Sequence, residues 1–517
     1  MKRHTLLKAT ASGLLMALLL QGCGGSGSSN AAASASTNQV ANGVVTGFGS
    51  VFVDGVEIED ANAKIDTENA DGSFSNSVLQ MGQRIRVNHD GKGTASKVTV
   101  DAAVIGSVSA IDTTALTLTV AGQRISINTD LTTGPLTVWG GGYSSISDVV
   151  SSDLVEVHGS PVYDSTTSSY KVVATRVQKM AAISGLKING KISNLDTTAK
   201  TFSLNGLTVS YASAALRPTG ATLANDLLVT AYGPTSALSG TTLTASNLKI
   251  NRLQDSTATD TTAQVGGQVS LFNSTANTFE VQGVKVAIGS ATTITPSGAT
   301  VGNNAYVKVS GSVGSDGSIS ATNIQVREQN TSSDLAQVKL IGVISDFVDA
   351  TSFVVRGIPV DASGINATTS CPGVTLANDV PVQITATQQT NTPVVLASSM
   401  SCNSSTNTII RPADGVVSSV DSIAKTFVLT ASGHTPLNVQ WADSTTTFVG
   451  VTAATLSTLG TQQVRVEGYM SGTTLMARVI SVPGAGEGLD DDHFQRKASG
   501  DTSGAAWSNY RSNHAHH

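Results

Sequence analysis

Charge is scarce in this sequence. Asp, Glu, Lys and Arg make up 13% of its 517 residues, about half the share of an average soluble protein. Lys and Arg never form a run longer than two, and the net charge is −6. That excludes the basic stripe a nucleic-acid binder needs to neutralise phosphates. Aromatics are only 4%, too few for the repeated ring platforms of a sugar-binding module. Long apolar runs are missing as well. The twelve residues Ala9 to Leu20 are the one sustained stretch, too short to cross a bilayer as a helix. No nucleophile elbow, no HExxH, no phosphate loop and no CxxC occurs. Of eight histidines, His4 and the tail residues His493, His514, His516 and His517 lie at the ends. His89, His158 and His434 remain, each in a different part of the chain, so a Ser-His-Asp site is not expected.

Val, Ala, Thr, Ser and 50 glycines fill the sequence instead. Many β-branched residues with frequent Gly suit short strands joined by tight turns.

The first residues carry Lys2, Arg3 and Lys8 ahead of the apolar stretch, and the stretch ends in LQGC, Leu20 to Cys23. A basic start and a short apolar core predict a secretory signal. LQGC resembles a bacterial lipobox, which implies that Cys23 is lipidated and heads the mature chain. Gly24 stands where an Asp would imply inner-membrane retention, so the resemblance points to the outer membrane. Cleavage before Cys23 leaves 27 cations and 36 acids, a net of −9. The acyl chains, and not electrostatics, then supply the membrane attachment. Gly24 to Gln39 is Gly/Ser-rich and reads as a flexible linker with a span of about 20–25 Å. An oxidising envelope lets Cys371 and Cys402 pair as a disulfide.

The rest of the chain repeats itself. Glycines that end strand-like runs recur at Gly55, Gly122, Gly206, Gly283, Gly357 and Gly433, spaced by 67, 84, 77, 74 and 76 residues. An alternating run opens each unit: GVVTGF, GSVSAI, GKISNL, GQVSLF, GVISDF and GVVSSV. The third unit can be read in detail. Lys191 to Leu195 alternates as a strand, and Asp196 to Lys200 is a polar turn. Thr201 to Leu204 is a second strand with Phe202 and Leu204 inward. Asn205-Gly206 is a hairpin signal, because both residues accept positive φ. Leu207 to Tyr211 is a third strand, and two later runs, Leu227 to Tyr232 and Leu243 to Ile250, complete five. This predicts an all-β protein of about six tandem small β-barrel (OB-like) domains, with a β-sandwich as the alternative.

The segment GVVTGFGSVFVDGVEIE, from Gly43, resembles the opening of bacterial lipoproteins built from the domain of unknown function 5666 family. GKISNLDTTAKTFSLNGLTV and DGVVSSVDSIAKTFVL look like degenerate copies. The resemblance implies a repeat architecture over roughly residues 43–483, and no activity.

The expected organisation is a signal at 1–22, lipidated Cys and linker at 23–42, and repeats at 43–101, 102–180, 181–254, 264–328, 337–403 and 413–483. A disordered tail is expected at 484–517, whose DDDH and HAHH segments read as solvated. WGGGY, Trp139 to Tyr143, is an odd insertion in the second repeat. Trp139 and Tyr143 are the candidate ligand contacts, for glycan or peptide. The expected function is non-enzymatic and needs no cofactor or metal. It is that of an outer-membrane-anchored envelope scaffold, spacer or adhesion module. The alternative is a glycan- or peptide-binding surface protein, and an envelope protein or glycan is the expected partner beside the membrane.

Overall fold

The computed structural model describes residues 39–482 except 61–62, 132, 254–261, 328–336, 391, 403–410 and 432–434. Cys23 and the signal, the linker up to Asn38, His434 and the tail lie outside the described residues.

The protein is all-β with three sheets, of 17, 14 and 6 strands. Six copies of one strand pattern build them. The fourth copy is the simplest, with strands Thr262–Asn273, Thr278–Val281, Val284–Thr295, Tyr306–Val313 and Ile319–Val326. The first three form an antiparallel meander. The fifth strand runs parallel to the third and antiparallel to the fourth. The fourth pairs back on the first. Backbone donors and acceptors are thus consumed on both sides of most strands, which removes open edges from a Val- and Thr-rich sequence.

The tight hairpin after the second strand has the same geometry wherever it is described. Asp54-Gly55, Ala121-Gly122, Asn205-Gly206, Gln282-Gly283 and Arg356-Gly357 all have positive φ at both residues, from 46° to 91°. That is the twist-matched turn of a two-residue hairpin. The non-glycine member varies, since tertiary packing can hold even Arg or Ala there.

The repeats do not stand apart as OB-like barrels, nor as separate sandwiches. This corrects the expectation from the sequence: the array is a β-solenoid, with sheets and cores running from one repeat into another. The reason lies in the first strands, Gln39–Phe48, Val104–Asp112, Leu186–Asp196, Thr262–Asn273, Gln337–Asp349 and Arg411–Asp421. They are much longer than the second strands, which have three to five residues, so part of each keeps a free edge. In five repeats another repeat's first strand fills it. Gln39–Asn42 pairs in parallel with Thr262–Val265. Gly47-Phe48 pairs in parallel with Lys339-Leu340. Val104-Ile105 pairs antiparallel with Lys187-Ile188. Repeats 1, 4 and 5 therefore share the 17-stranded sheet, repeats 2 and 3 the 14-stranded one, and repeat 6 has its own. The first strand already begins at Gln39, inside the segment expected as linker.

The apolar cores merge in the same way. One core holds Val45 and Ile85 of repeat 1 together with Leu340 and Phe353 of repeat 5. A second joins Val108 and Ile125 of repeat 2 to Phe202 and Leu248 of repeat 3. Repeats 4 and 6 keep their own. A unit of 60–75 residues is marginal alone, and sharing a core buries apolar surface that would otherwise face water.

Candidate functional site

Repeat 1 touches every other repeat, and its contacts are unusually polar. Where the outer face of a strand is covered by a neighbour, its outward side chains become buried. Lys187 illustrates this. In the strand LKING, Leu186 and Ile188 face the repeat's own core. Lys187 faces the other way, where solvent would be expected, yet it is fully buried.

Its ammonium donates to Asp101 Oδ1 at 2.7 Å, to the Glu68 carbonyl at 3.2 Å and to Glu68 Oε2 at 3.4 Å. Lys249 donates to both Glu68 oxygens at 2.6 and 2.5 Å, and the Tyr232 hydroxyl to Oε1 at 2.7 Å. Arg84 closes the set by pairing with Asp101. Three cations from repeats 1 and 3 thus enclose two carboxylates. Burial pushes Asp101 up, but Lys187, Arg84 and Lys249 overcome it and hold the carboxyl well below its usual value. Burial likewise opposes the charge on Lys187, and Asp101 and Glu68 reverse that and raise it. Burial and then the Glu68 charge push the Tyr232 phenol up.

His158 lies beside this cluster. It is fully buried. Its Nδ1 accepts from the Arg84 amide at 3.3 Å, so Nε2 carries the hydrogen and donates to Glu156 at 2.5 Å. Burial holds the ring neutral, with its pKa lowered despite Glu156. His89 is half-buried at the end of the strand Arg84–His89, its Nδ1 accepting from the Gly91 amide at 3.2 Å. The two do not converge. Among the described residues, no group of three or more His, Cys, Asp or Glu side chains could hold a metal ion.

Similar junctions recur. Glu280 of repeat 4 accepts from Tyr170 of repeat 2 at 2.8 Å and from Lys191 of repeat 3 at 2.6 Å. Arg356 of repeat 5 pairs with Glu467 of repeat 6 at 3.3 Å, and Arg478 of repeat 6 with Asp60 of repeat 1 at 3.5 Å.

The sequence-expected residues fall elsewhere. Cys371 and Cys402 form a disulfide, with sulfurs 2.08 Å apart. It ties the loop after the one-turn helix Ala367–Ser370 to the last strand of repeat 5. Trp139 sits in a short strand, Val138–Gly140, parallel to Ser169–Lys179. Tyr143 folds back into the shared core of repeats 2 and 3. Its hydroxyl donates to Asp153 at 2.5 Å, Lys179 lies over its ring, and Trp139 meets it edge-on at 6.2 Å. The Tyr143 ring is therefore occupied by its own repeat, and Trp139 is half-buried. Beside this loop, Thr113, Thr129, Ser144, Ser145, Ser147 and Thr390 line an open depression of about 560 Å³.

Sequence reasoning missed Glu68, Asp101, Lys187 and His158. The one signal available was a lysine placed between two inward residues of a first strand, which reads as an ordinary solvent-facing charge.

The simplest repeat, with its five-strand ladder, matches a family model. Residues 266–325 match the family described as Domain of unknown function (DUF5666). The match spans nearly the whole of repeat 4, from the middle of its first strand to the end of its fifth. No curated protein matches the chain.

Proposed function

We propose that the protein is a non-enzymatic lipoprotein, anchored in the bacterial outer membrane through lipidated Cys23, whose repeats act as a stiff scaffold or spacer in the envelope. One observation carries the reading: Lys187, Lys249, Glu68, Asp101, Lys191 and Glu280 spend their charges on one another across the boundaries of repeats 1, 3 and 4, where they hold modules together. Shared strands and shared cores add to that coupling and make independent movement of the joined repeats costly. The Gly/Ser linker of about 20–25 Å lets such a body stand off the headgroups. Its acidic surface resists adhesion to anionic lipid and leaves an envelope protein as the fitting partner.

The anchor is tested by Cys23→Ser expressed in a Gram-negative host. The wild type is expected in the membrane pellet and the variant in the soluble fraction. Unchanged sedimentation with membranes overturns the anchor.

A second reading, glycan binding, is favoured by the depression next to the Trp139–Tyr143 loop, where hydroxyl side chains stand beside Leu116 and Ile146. A glycan array on the mature protein separates the two readings. Retention of a glycan that is lost in Thr113→Val/Ser147→Ala supports binding, and a blank array removes it.

A further inference from the structure

Asp54 occupies the tight hairpin turn of repeat 1, a position that faces solvent in an isolated hairpin. Here it is almost completely buried, because repeat 4 closes over it. Its carboxylate is wedged between two backbones. A β-carbon built on Gly43, in the first strand of repeat 1, would overlap the carboxylate, and so would one on Gly266 of repeat 4. These glycines come immediately after the four-residue stretch over which the two first strands pair in parallel. The carboxylate therefore sits at the seam where repeats 1 and 4 become one sheet.

Every titratable group set against it comes from repeat 4. Tyr306, at the start of the fourth strand, donates its hydroxyl to Oδ1 at 2.8 Å. The Val44 amide of repeat 1 reaches the same oxygen at 3.4 Å. Arg327, just past the fifth strand, is engaged with the Asp54 carbonyl and not its carboxylate. Lys308 lies further off and acts only through its charge. A buried carboxylate without a direct cationic partner favours its neutral form.

We propose that Asp54 makes the seam between repeats 1 and 4 a proton-responsive latch, tighter when the carboxyl is protonated and looser when it is ionised. Burial pushes the carboxyl up to about 6, against the opposing pull of Tyr306, Arg327 and Val44. A carboxyl raised in the folded state stabilises it fully below the unfolded value of 3.8. That contribution is lost as pH rises through about 6. The window, pH 4 to 7, is one that an envelope protein meets whenever its surroundings acidify.

The test compares the full mature chain with Asp54→Asn, an isostere that tolerates the same positive-φ turn. Amide protection of Gln39–Asn42 and Thr262–Val265 is followed by hydrogen exchange from pH 4 to 7. His158, held neutral by burial, works in the opposite sense over part of this range, and the comparison cancels it. Protection in the wild type, relative to the variant, is expected to fall about fifty-fold from pH 4 to pH 7. Tyr306→Phe removes a donor that favours the ionised carboxyl and is expected to move the midpoint upward, which keeps the test open if Asp54→Asn does not fold. Parallel pH profiles for wild type and Asp54→Asn, or an unmoved midpoint in Tyr306→Phe, overturn the proposal.

Discussion

Replacing Lys187 with Met is the sharpest test of the idea that charges lock the repeats together. Met keeps the length and most of the volume of the lysine stem, so little cavity is created and the loss is electrostatic. Removing one partner from a buried ion pair typically costs about 3–5 kcal/mol, because the other charge is stranded. Here the two carboxylates are not wholly stranded. Asp101 keeps Arg84, and Glu68 keeps Lys249 and the Tyr232 hydroxyl. That places the expected loss at about 2–3 kcal/mol, below the full stranded-charge figure. Glu68→Gln should cost at least as much, since it leaves Lys187 and Lys249 sharing one buried region with Asp101 as the only carboxylate. Because both changes break the same contact, the double variant should lose less than the sum, with a coupling of about 1 kcal/mol or more. The assay is urea unfolding at pH 7 of the wild type, both single variants and the double. The reasoning fails if Lys187→Met loses under about 0.5 kcal/mol, or if the two losses simply add. Asp101 supplies a further check through pH. Its carboxyl is held low in the folded state, so its contribution is present above the usual carboxylate value and disappears as pH falls below it. Wild type and Lys187→Met should therefore converge in stability on acidification.

Other consequences can be measured directly. The Cys371–Cys402 bridge spans 31 residues, and opening it by Cys402→Ser should cost about 3–4 kcal/mol; an unchanged urea midpoint on reduction would contradict that. Tyr143→Phe removes the hydrogen bond to Asp153 and is expected to lose about 1 kcal/mol of stability; a neutral change would mean that the hydroxyl is equally well satisfied by water. Gly206→Val places a β-branched residue at a φ of 91° and should cost about 1–2 kcal/mol or more, read from the thermal midpoint.

The hairpin turns were legible because they depend on residues with special backbone freedom. Asn205-Gly206 and Asp54-Gly55 announce positive φ by their type, and the same spacing then locates Ala121-Gly122, Gln282-Gly283 and Arg356-Gly357, which announce it less clearly. The inward residues Phe202 and Leu204 were legible too, since alternation shows which face of a strand is apolar. WGGGY was legible as an insertion, but its packing was not. Nothing in its composition shows that Tyr143 turns into the core to meet Asp153 and Lys179.

By itself the sequence determined the repeat, its strand order and its turn positions, because these are local and written in the spacing of Gly, Asn, Asp and apolar residues. Only the tertiary structure decided which repeats join. Joining occurs through the backbone edges of the first strands, and a backbone edge carries no side-chain signature. That choice in turn decided which charges are buried. Lys187, Glu68, Asp54 and His158 are ordinary polar residues of a solvated strand or turn until a second repeat covers them, and burial then obliges each to find a partner across the seam.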